Sequence, residues 1–223
     1  MDINTLKEIK KKIDIMEEID EAKEYIQSEI YLIEPPVETI YTCTSCILYK
    51  DSVAVPGVGP KDAVLMIVGE AVGQEDELTG IPFSGPSGDM LDSILTAAKL
   101  KREDIYITNV LKHKLVDPKK KGIKMQAVAC YKWLEAEIES VKPDVILCLG
   151  LTASSIIIKP QFSFENDRGQ WHKDDKGRSM IGTYHPAYLC RIEGELLKEK
   201  KKEVWADIKE VLARLKEIQG LKE

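Results

Sequence analysis

The sequence predicts an α/β fold in which helices cover both faces of a parallel β-sheet. Short apolar runs alternate with segments of helical periodicity, and this alternation is typical of strand–helix–strand units. Hydrophobic residues make up 43% of the 223 residues and charged residues 31%, so the chain can bury a full core and is not disordered. No apolar run is long enough to cross a bilayer as a helix, and the charged N-terminus lacks the apolar stretch of a secretion signal. We therefore expect a soluble, cytoplasmic protein.

The prediction divides the chain into a helical extension, residues 1–36, and a main domain, residues 37–223. Apolar side chains recur every three or four residues between positions 3 and 33, and Pro35-Pro36 ends the pattern. We interpret the extension as an amphipathic helix or helical hairpin that packs on the main domain or on another chain. Residues 1–34 contain five Lys against ten Asp and Glu, which gives −5 of the net charge of −6. The negative net charge of the whole chain is therefore only weak evidence against a nucleic-acid partner for the main domain.

Four apolar runs of the main domain are predicted to be buried strands, and four amphipathic patterns are predicted to be helices. The predicted strands are residues 63–68, 105–110, 144–149 and 180–184, and the predicted helices are residues 87–99, 125–141, 152–158 and 203–218. Because strands and helices follow one another in turn, the strands are expected to be parallel neighbours in one sheet.

Polar side chains stand at the ends of three of these strands. Glu70 follows the first strand, Asn109 ends the second, and His185 follows the fourth. In open parallel sheets, ligands bind at the carboxyl ends of the strands. The sequence therefore predicts a site at one rim of the sheet that contains all three side chains.

Five segments of the main domain match the signature of a known enzyme family. They are GEAVGQEDELTGIPFSGPSGDML, TNVLKHK, PDVILCLGLTAS, RGQW and TYHPAYLCR, in this order between residues 69 and 191. Together they resemble the family 4 uracil-DNA glycosylases, the iron–sulfur type of the uracil-DNA glycosylase superfamily. The resemblance covers about residues 41–215 and implies a three-layer α/β/α sandwich around a four-stranded parallel sheet. It also implies a DNA-repair enzyme that hydrolyses the N-glycosidic bond of uracil flipped out of DNA and leaves an abasic site.

The resemblance assigns a role to each residue of the predicted rim. Phe83 stacks on uracil, and Asn109 reads the edge of the base with an amide that both donates and accepts. His185 stabilises the negative charge that uracil carries as it leaves. Glu70 is a candidate for positioning the attacking water, with backbone carbonyls as the alternative, because Ala71 stands where family 1 enzymes have an Asp. The backbone of the uracil pocket is implied to come from Gly69, Ala71 and Gly73.

A basic strip lies between the second strand and the next helix. Six Lys and one Asp occur between positions 112 and 124, and lysines beside a DNA site can neutralise phosphates. The residues expected to contact DNA are Lys119, Lys120, Lys121, Leu189 and Arg191. Within this set, Leu189 is expected to wedge into the gap left by the flipped base, and Arg191 to hold a phosphate.

The resemblance also implies a structural [4Fe–4S] cluster. Cys43 and Cys46 form a C-x-x-C pair, and Cys130 matches a further cluster cysteine. His113 stands where the family has its third cysteine. A set of three Cys and one His can hold a cluster, but it can equally bind zinc, so zinc is the alternative metal.

A second function stays open at this point. A related branch of the superfamily traps the sugar covalently through a His at the end of a basic loop, and Lys124 stands at that position here, which argues against trapping. Departures from the family's motifs, such as Val72 in place of Pro in GEAVG, nevertheless leave a non-catalytic or trapping uracil-DNA-binding protein as the alternative to a glycosylase. The helical extension is a candidate contact for a repair or replication protein.

Overall fold

The computed structural model describes residues 37–115 and 123–220. The predicted N-terminal extension lies outside the described residues, as do three lysines of the basic strip, Lys119, Lys120 and Lys121. None of the described helices combines the length and the apolar character needed to cross a lipid bilayer.

A five-stranded sheet forms the centre of the main domain. Its strands are β1 (Leu65–Val72), β2 (Tyr106–Lys114), β3 (Val145–Leu149), β4 (Trp171–Lys173) and β5 (Ser179–Thr183). They lie in the order β2-β1-β3-β5-β4, and β1, β2, β3 and β5 are parallel. The four predicted parallel strands are therefore confirmed. The sequence did not predict β4, a short edge strand that pairs antiparallel with β5.

Six described α-helices surround the sheet. They are α1 (Gln74–Thr79), α2 (Pro86–Ala98), α3 (Ile123–Val141), α4 (Gly150–Ile157), α5 (Pro186–Leu189) and α6 (Gly194–Gly220). Short 3₁₀ helices add Val37–Thr42, Ile47–Lys50 and Arg102–Asp104. Helix α6 begins well before the predicted residue 203, because its first two turns are mostly charged and carry little apolar periodicity.

The two faces of the sheet bury separate sets of side chains. On one face, Ile67 packs in a core with Leu91 of α2 and Val211 of α6. On the other face, Met66 packs with Leu134 of α3. Met66 and Ile67 are consecutive residues of β1, and they enter opposite cores because successive strand side chains point to opposite faces. The predicted three-layer α/β/α sandwich is confirmed.

A buried ion pair fixes β2 to α3. Lys112 Nζ lies 2.6 Å from Glu137 Oε2, and both side chains are 0% exposed. Lys112 also donates to Thr108 Oγ1 at 2.6 Å, and Glu137 Oε1 accepts from the backbone N–H of Gly57 at 2.7 Å. Removing one partner of such a pair leaves an uncompensated charge, which costs about 3–5 kcal/mol. Lys112, counted in the basic strip from the sequence, is therefore a buried residue of this ion pair and is not exposed to solvent.

Candidate active site

The residues predicted at the rim of the sheet lie together. Gly69 on β1 and Asn109 on β2 are register partners, and the ring centroids of Phe83 and His185 lie 5.6 Å apart. A Cβ atom added at Gly69 would come within 2.3 Å of Asn109 Oδ1 and 2.5 Å of Phe83 Cζ. Glycine is therefore required at this position, because the amide and the aromatic ring approach the β1 backbone too closely for a larger side chain.

Asn109 carries a buried acceptor atom without a partner. The residue is 2% exposed, and its Oδ1 forms no hydrogen bond within residues 37–115 and 123–220. An unsatisfied buried acceptor costs about 1–3 kcal/mol, and buried polar groups are nearly always paired. The amide is therefore set to receive a ligand that brings a hydrogen-bond donor.

Phe83 is held in a strained backbone conformation. Its φ angle is 58°, in the left-handed region that a bulky side chain rarely adopts. Arg102 Nη2 donates to the carbonyl of Pro82 at 2.6 Å and to that of Phe83 at 3.2 Å. Gly88 allows the chain to pass close by, since a Cβ added there would lie 1.9 Å from the Phe83 carbonyl oxygen. These contacts fix the ring, which is buried and nearly parallel to that of His185.

One buried carboxylate ties the turn after β1 to the loop that carries Phe83. Asp76 is 6% exposed; its Oδ2 accepts from the N–H of Gly73 at 2.9 Å, and its Oδ1 accepts from the N–H of Ser84 at 2.8 Å. Sequence reasoning missed this residue, because acidic residues in the first turn of a helix are usually exposed. The available signal was the capping spacing between Gly73 and Asp76.

His185 stands at the N-terminus of α5 and is fixed by a local hydrogen bond. Its Nδ1 accepts from the backbone N–H of Ala187 at 3.0 Å. A nitrogen that accepts carries no proton, so the neutral ring has its hydrogen on Nε2. Gly150 lies against the same residue, since a Cβ added there would be 3.0 Å from His185 Cβ. The imidazole is therefore oriented as an Nε2–H donor.

Glu70, near the end of β1, is bonded to the helix that follows β3. Thr152 Oγ1 donates to Glu70 Oε2 at 2.6 Å, although the two residues lie 82 positions apart in the sequence. Sequence reasoning missed Thr152. Its position just after β3, at the rim that already contained Glu70, was the signal that could have identified it.

The structure places Leu189 in the core. The residue is 1% exposed and belongs to the same apolar cluster as Phe83 and Leu91. A role as the wedge would require this side chain to leave the cluster, and the role stays a prediction. Arg191, two residues further along, is exposed and stays a candidate for a phosphate contact.

Part of the predicted basic strip is engaged within the protein. Besides the buried Lys112, Lys114 Nζ lies 2.7 Å from Glu77 Oε2. Lys124 is exposed at the start of α3. DNA contacts by the lysines at 119–121 stay a prediction.

A Cys–His cluster lies further along β2. The ligand atoms of Cys46, His113 and Cys130 are all within 4.8 Å of one another. His113 is 2% exposed, and its Nδ1 has no hydrogen-bond partner in the described part of the chain. Cys43 is not a member of this group; its Sγ accepts from Trp133 Nε1 at 2.9 Å. The structure thus brings together three of the four predicted ligands, and these three fit a metal site.

The pKa shifts of two of the three donors in this cluster favour the form that binds metal ions. A hydrogen bond from Cys130 lowers the pKa of the Cys46 thiol to about 6, which favours its thiolate near neutral pH. The same hydrogen bond, together with burial, raises the pKa of Cys130. Burial lowers the pKa of His113 and keeps its imidazole neutral. A thiolate and a neutral imidazole are the forms that bind metal ions.

Comparison with known families agrees with the geometry of the site. The family model described as "Uracil DNA glycosylase superfamily" matches residues 56–209. The chain belongs to the uracil-DNA glycosylase superfamily. The matched segment contains the four residues that meet at the rim, namely Gly69, Phe83, Asn109 and His185. The family resemblance inferred from the motifs is therefore confirmed.

Curated relatives within the uracil-DNA glycosylase superfamily are similar over most of their length. The "Type-4 uracil-DNA glycosylase" of Thermotoga maritima is 37% identical over 162 residues, which are 72% of this chain and 84% of the relative. The protein of the same name from Archaeoglobus fulgidus is 36% identical over 165 residues, 68% of this chain and 79% of the relative. That from Saccharolobus solfataricus is 33% identical over 162 residues, with 67% and 73% covered. The similarity is therefore not confined to the short motifs.

Proposed function

We propose that this protein is a uracil-DNA glycosylase, a DNA-repair enzyme that hydrolyses the N-glycosidic bond of flipped-out uracil and leaves an abasic site. Membership of the superfamily and relatives named type-4 uracil-DNA glycosylase support this activity. The observation that carries it is the unpartnered, buried Oδ1 of Asn109, which lies with the Phe83 ring against the backbone of Gly69. A flipped base needs a stacking face and a reader of its edge, and these two side chains can supply them.

The Asn109 amide is complementary to the edge of uracil. Its Oδ1 can accept from uracil N3–H, while its Nδ2 donates to O4. Cytosine has no proton on N3 and has an amino group at C4, so both contacts would become repulsive. The Phe83 ring offers an apolar face to either pyrimidine, and selectivity therefore rests on the amide.

The reaction is attack of water on C1′ with cleavage of the bond between C1′ and N1. The bonding electrons leave with uracil, and the resulting negative charge spreads to O2. His185 donates its Nε2–H to that oxygen and stabilises the departing anion. Glu70 positions the water and takes up its proton, with backbone carbonyls as the alternative means of positioning.

We assign a structural [4Fe–4S] cluster to Cys43, Cys46, His113 and Cys130. The convergence of three of these donors and the unpartnered Nδ1 of His113 support a metal here. The C-x-x-C spacing places Cys43 in the same short segment as Cys46. When bound, the cluster links this segment to β2 and α3. Zinc is the alternative metal, because His is a routine zinc ligand.

Contacts beyond the pocket are proposed from the sequence. Lys119, Lys120, Lys121 and Arg191 are assigned to DNA phosphates, where they would make binding dependent on salt. A repair or replication protein is the proposed partner of residues 1–36. A cytoplasmic location stays a prediction.

Release of free uracil from a single-stranded oligonucleotide with one uracil tests the proposal. The expected products are free uracil and an abasic strand that alkali cleaves, while the same strand with thymine stays intact. A protein–DNA adduct that survives denaturation would instead indicate the trapping alternative. Binding without release would indicate the non-catalytic one.

A further inference from the structure

We propose that Thr152 is a positioning residue that orients the Glu70 carboxylate toward the attacking water. This inference rests on the proposed function, because it assumes that Glu70 serves the hydrolysis. It concerns a residue that touches neither the base nor the sugar in our account and that acts through Glu70.

The sheet brings the two residues together. β1 and β3 are adjacent parallel strands with Val68 opposite Cys148, so their carboxyl ends lie side by side at the rim. Glu70 lies two residues beyond Val68 on β1. Thr152 lies in the first turn of α4, which begins directly after β3. Their side chains meet through the 2.6 Å hydrogen bond from Thr152 Oγ1 to Glu70 Oε2.

This hydrogen bond limits the freedom of the carboxylate. A glutamate side chain has three torsions, and the last of them is broad, so an unbraced carboxylate samples many orientations. A hydroxyl donor on one oxygen fixes both the plane of the group and the position of the second oxygen.

The bond is not an ordinary helix cap. Residue Leu149 occupies the N-cap of α4, and no side-chain hydrogen bond caps that end. Thr152 instead donates its hydroxyl to a residue of another strand. Such a bond between distant segments is better suited to fixing Glu70 than to stabilising α4.

The same turn also supports the second catalytic side chain. Gly150 has a φ angle of 89°, and a Cβ added there would lie 3.0 Å from His185 Cβ. Leu151, which lies between Gly150 and Thr152 in the sequence, is 51% exposed. The start of α4 therefore contacts His185 through Gly150 and Glu70 through Thr152, which places the two catalytic groups in fixed relation to each other.

Matched variants separate orientation from packing. Thr152→Val keeps the shape of the side chain but removes the hydroxyl, whereas Thr152→Ser keeps the hydroxyl. We expect Thr152→Val to lower the single-turnover rate of uracil release about 10- to 100-fold, the scale of one hydrogen bond to a charged group. Its affinity for uracil-containing DNA should be unchanged, and Thr152→Ser should recover most of the rate. Ser155→Ala, on the same helix, is the control and should match the wild type.

A double-mutant cycle tests the route through Glu70. In a Glu70→Ala background, Thr152→Val should lower the rate no further, because the group that it orients is already gone. If the rate losses of the two variants are additive, or if Thr152→Val is as fast as an active wild type, the role of Thr152 is overturned. The proposed function would be unaffected by either result. A wild type that releases no uracil would overturn the proposed function and the inference with it. If the valine variant does not fold, as judged by thermal unfolding, the same comparison is made with Thr152→Ala.

Discussion

His185 Nδ1 accepts a hydrogen bond from the backbone N–H of Ala187 at 3.0 Å, and this contact determines which nitrogen of the ring can donate. Because the accepting nitrogen carries no proton, the neutral imidazole has its hydrogen on Nε2. The first turn of α5 thus sets both the place and the tautomer of the ring. A neutral donor at this point can stabilise a departing anion without first being protonated.

Replacing His185 with Ala should slow uracil release, because it removes one transition-state donor. The expected increase in the activation free energy is about 2–4 kcal/mol. The single-turnover rate with enzyme in excess measures this effect. Affinity for DNA should change little, because the donor acts on charge that develops only as uracil leaves. An unchanged rate would remove His185 from the reaction.

Asp76→Asn should weaken the binding of uracil, although it changes none of the side chains that are proposed to contact the base. The amide keeps one acceptor but places an NH₂ group against either Gly73 N–H or Ser84 N–H, which loosens the loop that carries Phe83. We expect KM to rise by about tenfold, the scale of one lost hydrogen bond to a charged group. Steady-state kinetics on single-stranded DNA measure it. Asp89→Asn, an exposed acidic residue in the first turn of α2, should leave KM unchanged.

Leu189→Ala should destabilise the protein, since the residue is buried in the core. The expected loss in the free energy of unfolding is about 2–5 kcal/mol, as for other core leucines, and urea unfolding measures it. Leu196→Ala, on α6 and 44% exposed, is the matched control with little expected loss. A normal stability together with a loss of activity on duplex DNA alone would support the wedge role inferred from the sequence.

The proposed metal site predicts the colour and the metal content of the protein. Anaerobically purified protein should be brown and contain about four irons per chain, as a [4Fe–4S] cluster requires. His113→Cys should keep the colour, because thiolate is the usual cluster ligand. Cys130→Ala should bleach and destabilise the protein. Colourless protein with one zinc per chain would contradict the cluster and leave the uracil pocket unaffected.

Much of the fold and of the pocket could be predicted because both follow from local patterns. Apolar runs mark the four parallel strands, and residues toward their carboxyl ends share one rim. His185 follows β5 as predicted, whereas Asn109 lies within β2, which continues to Lys114. Strand β4 escaped prediction because it has three residues at the edge of the sheet and no apolar run. The sequence places Lys112 in the basic strip, after the predicted end of the strand at residue 110. In the structure β2 continues to Lys114 and carries Lys112 into the interior.

Residues whose roles depend on distant contacts could not be predicted. Thr152 meets Glu70 across 82 positions, and Asp76 binds backbone groups on both sides of α1. No periodicity encodes such bonds. The burial of Leu189 could not be predicted either, because the sequence of a four-residue helix does not determine whether its leucine faces the core or the solvent.

The claim that the Asn109 amide reads uracil for excision is tested by comparing the rates at which Asn109→Asp and the wild type release uracil from one single-stranded oligonucleotide. Asp has nearly the same size as Asn, but its ionised carboxylate cannot donate to O4 and repels it. We expect the wild type to release free uracil and Asn109→Asp to be slower by about 10- to 100-fold, while Asn166→Asp, an exposed control, matches the wild type. Equal rates for Asn109→Asp and the wild type, or no release by the wild type, would contradict the claim that this amide reads uracil for excision.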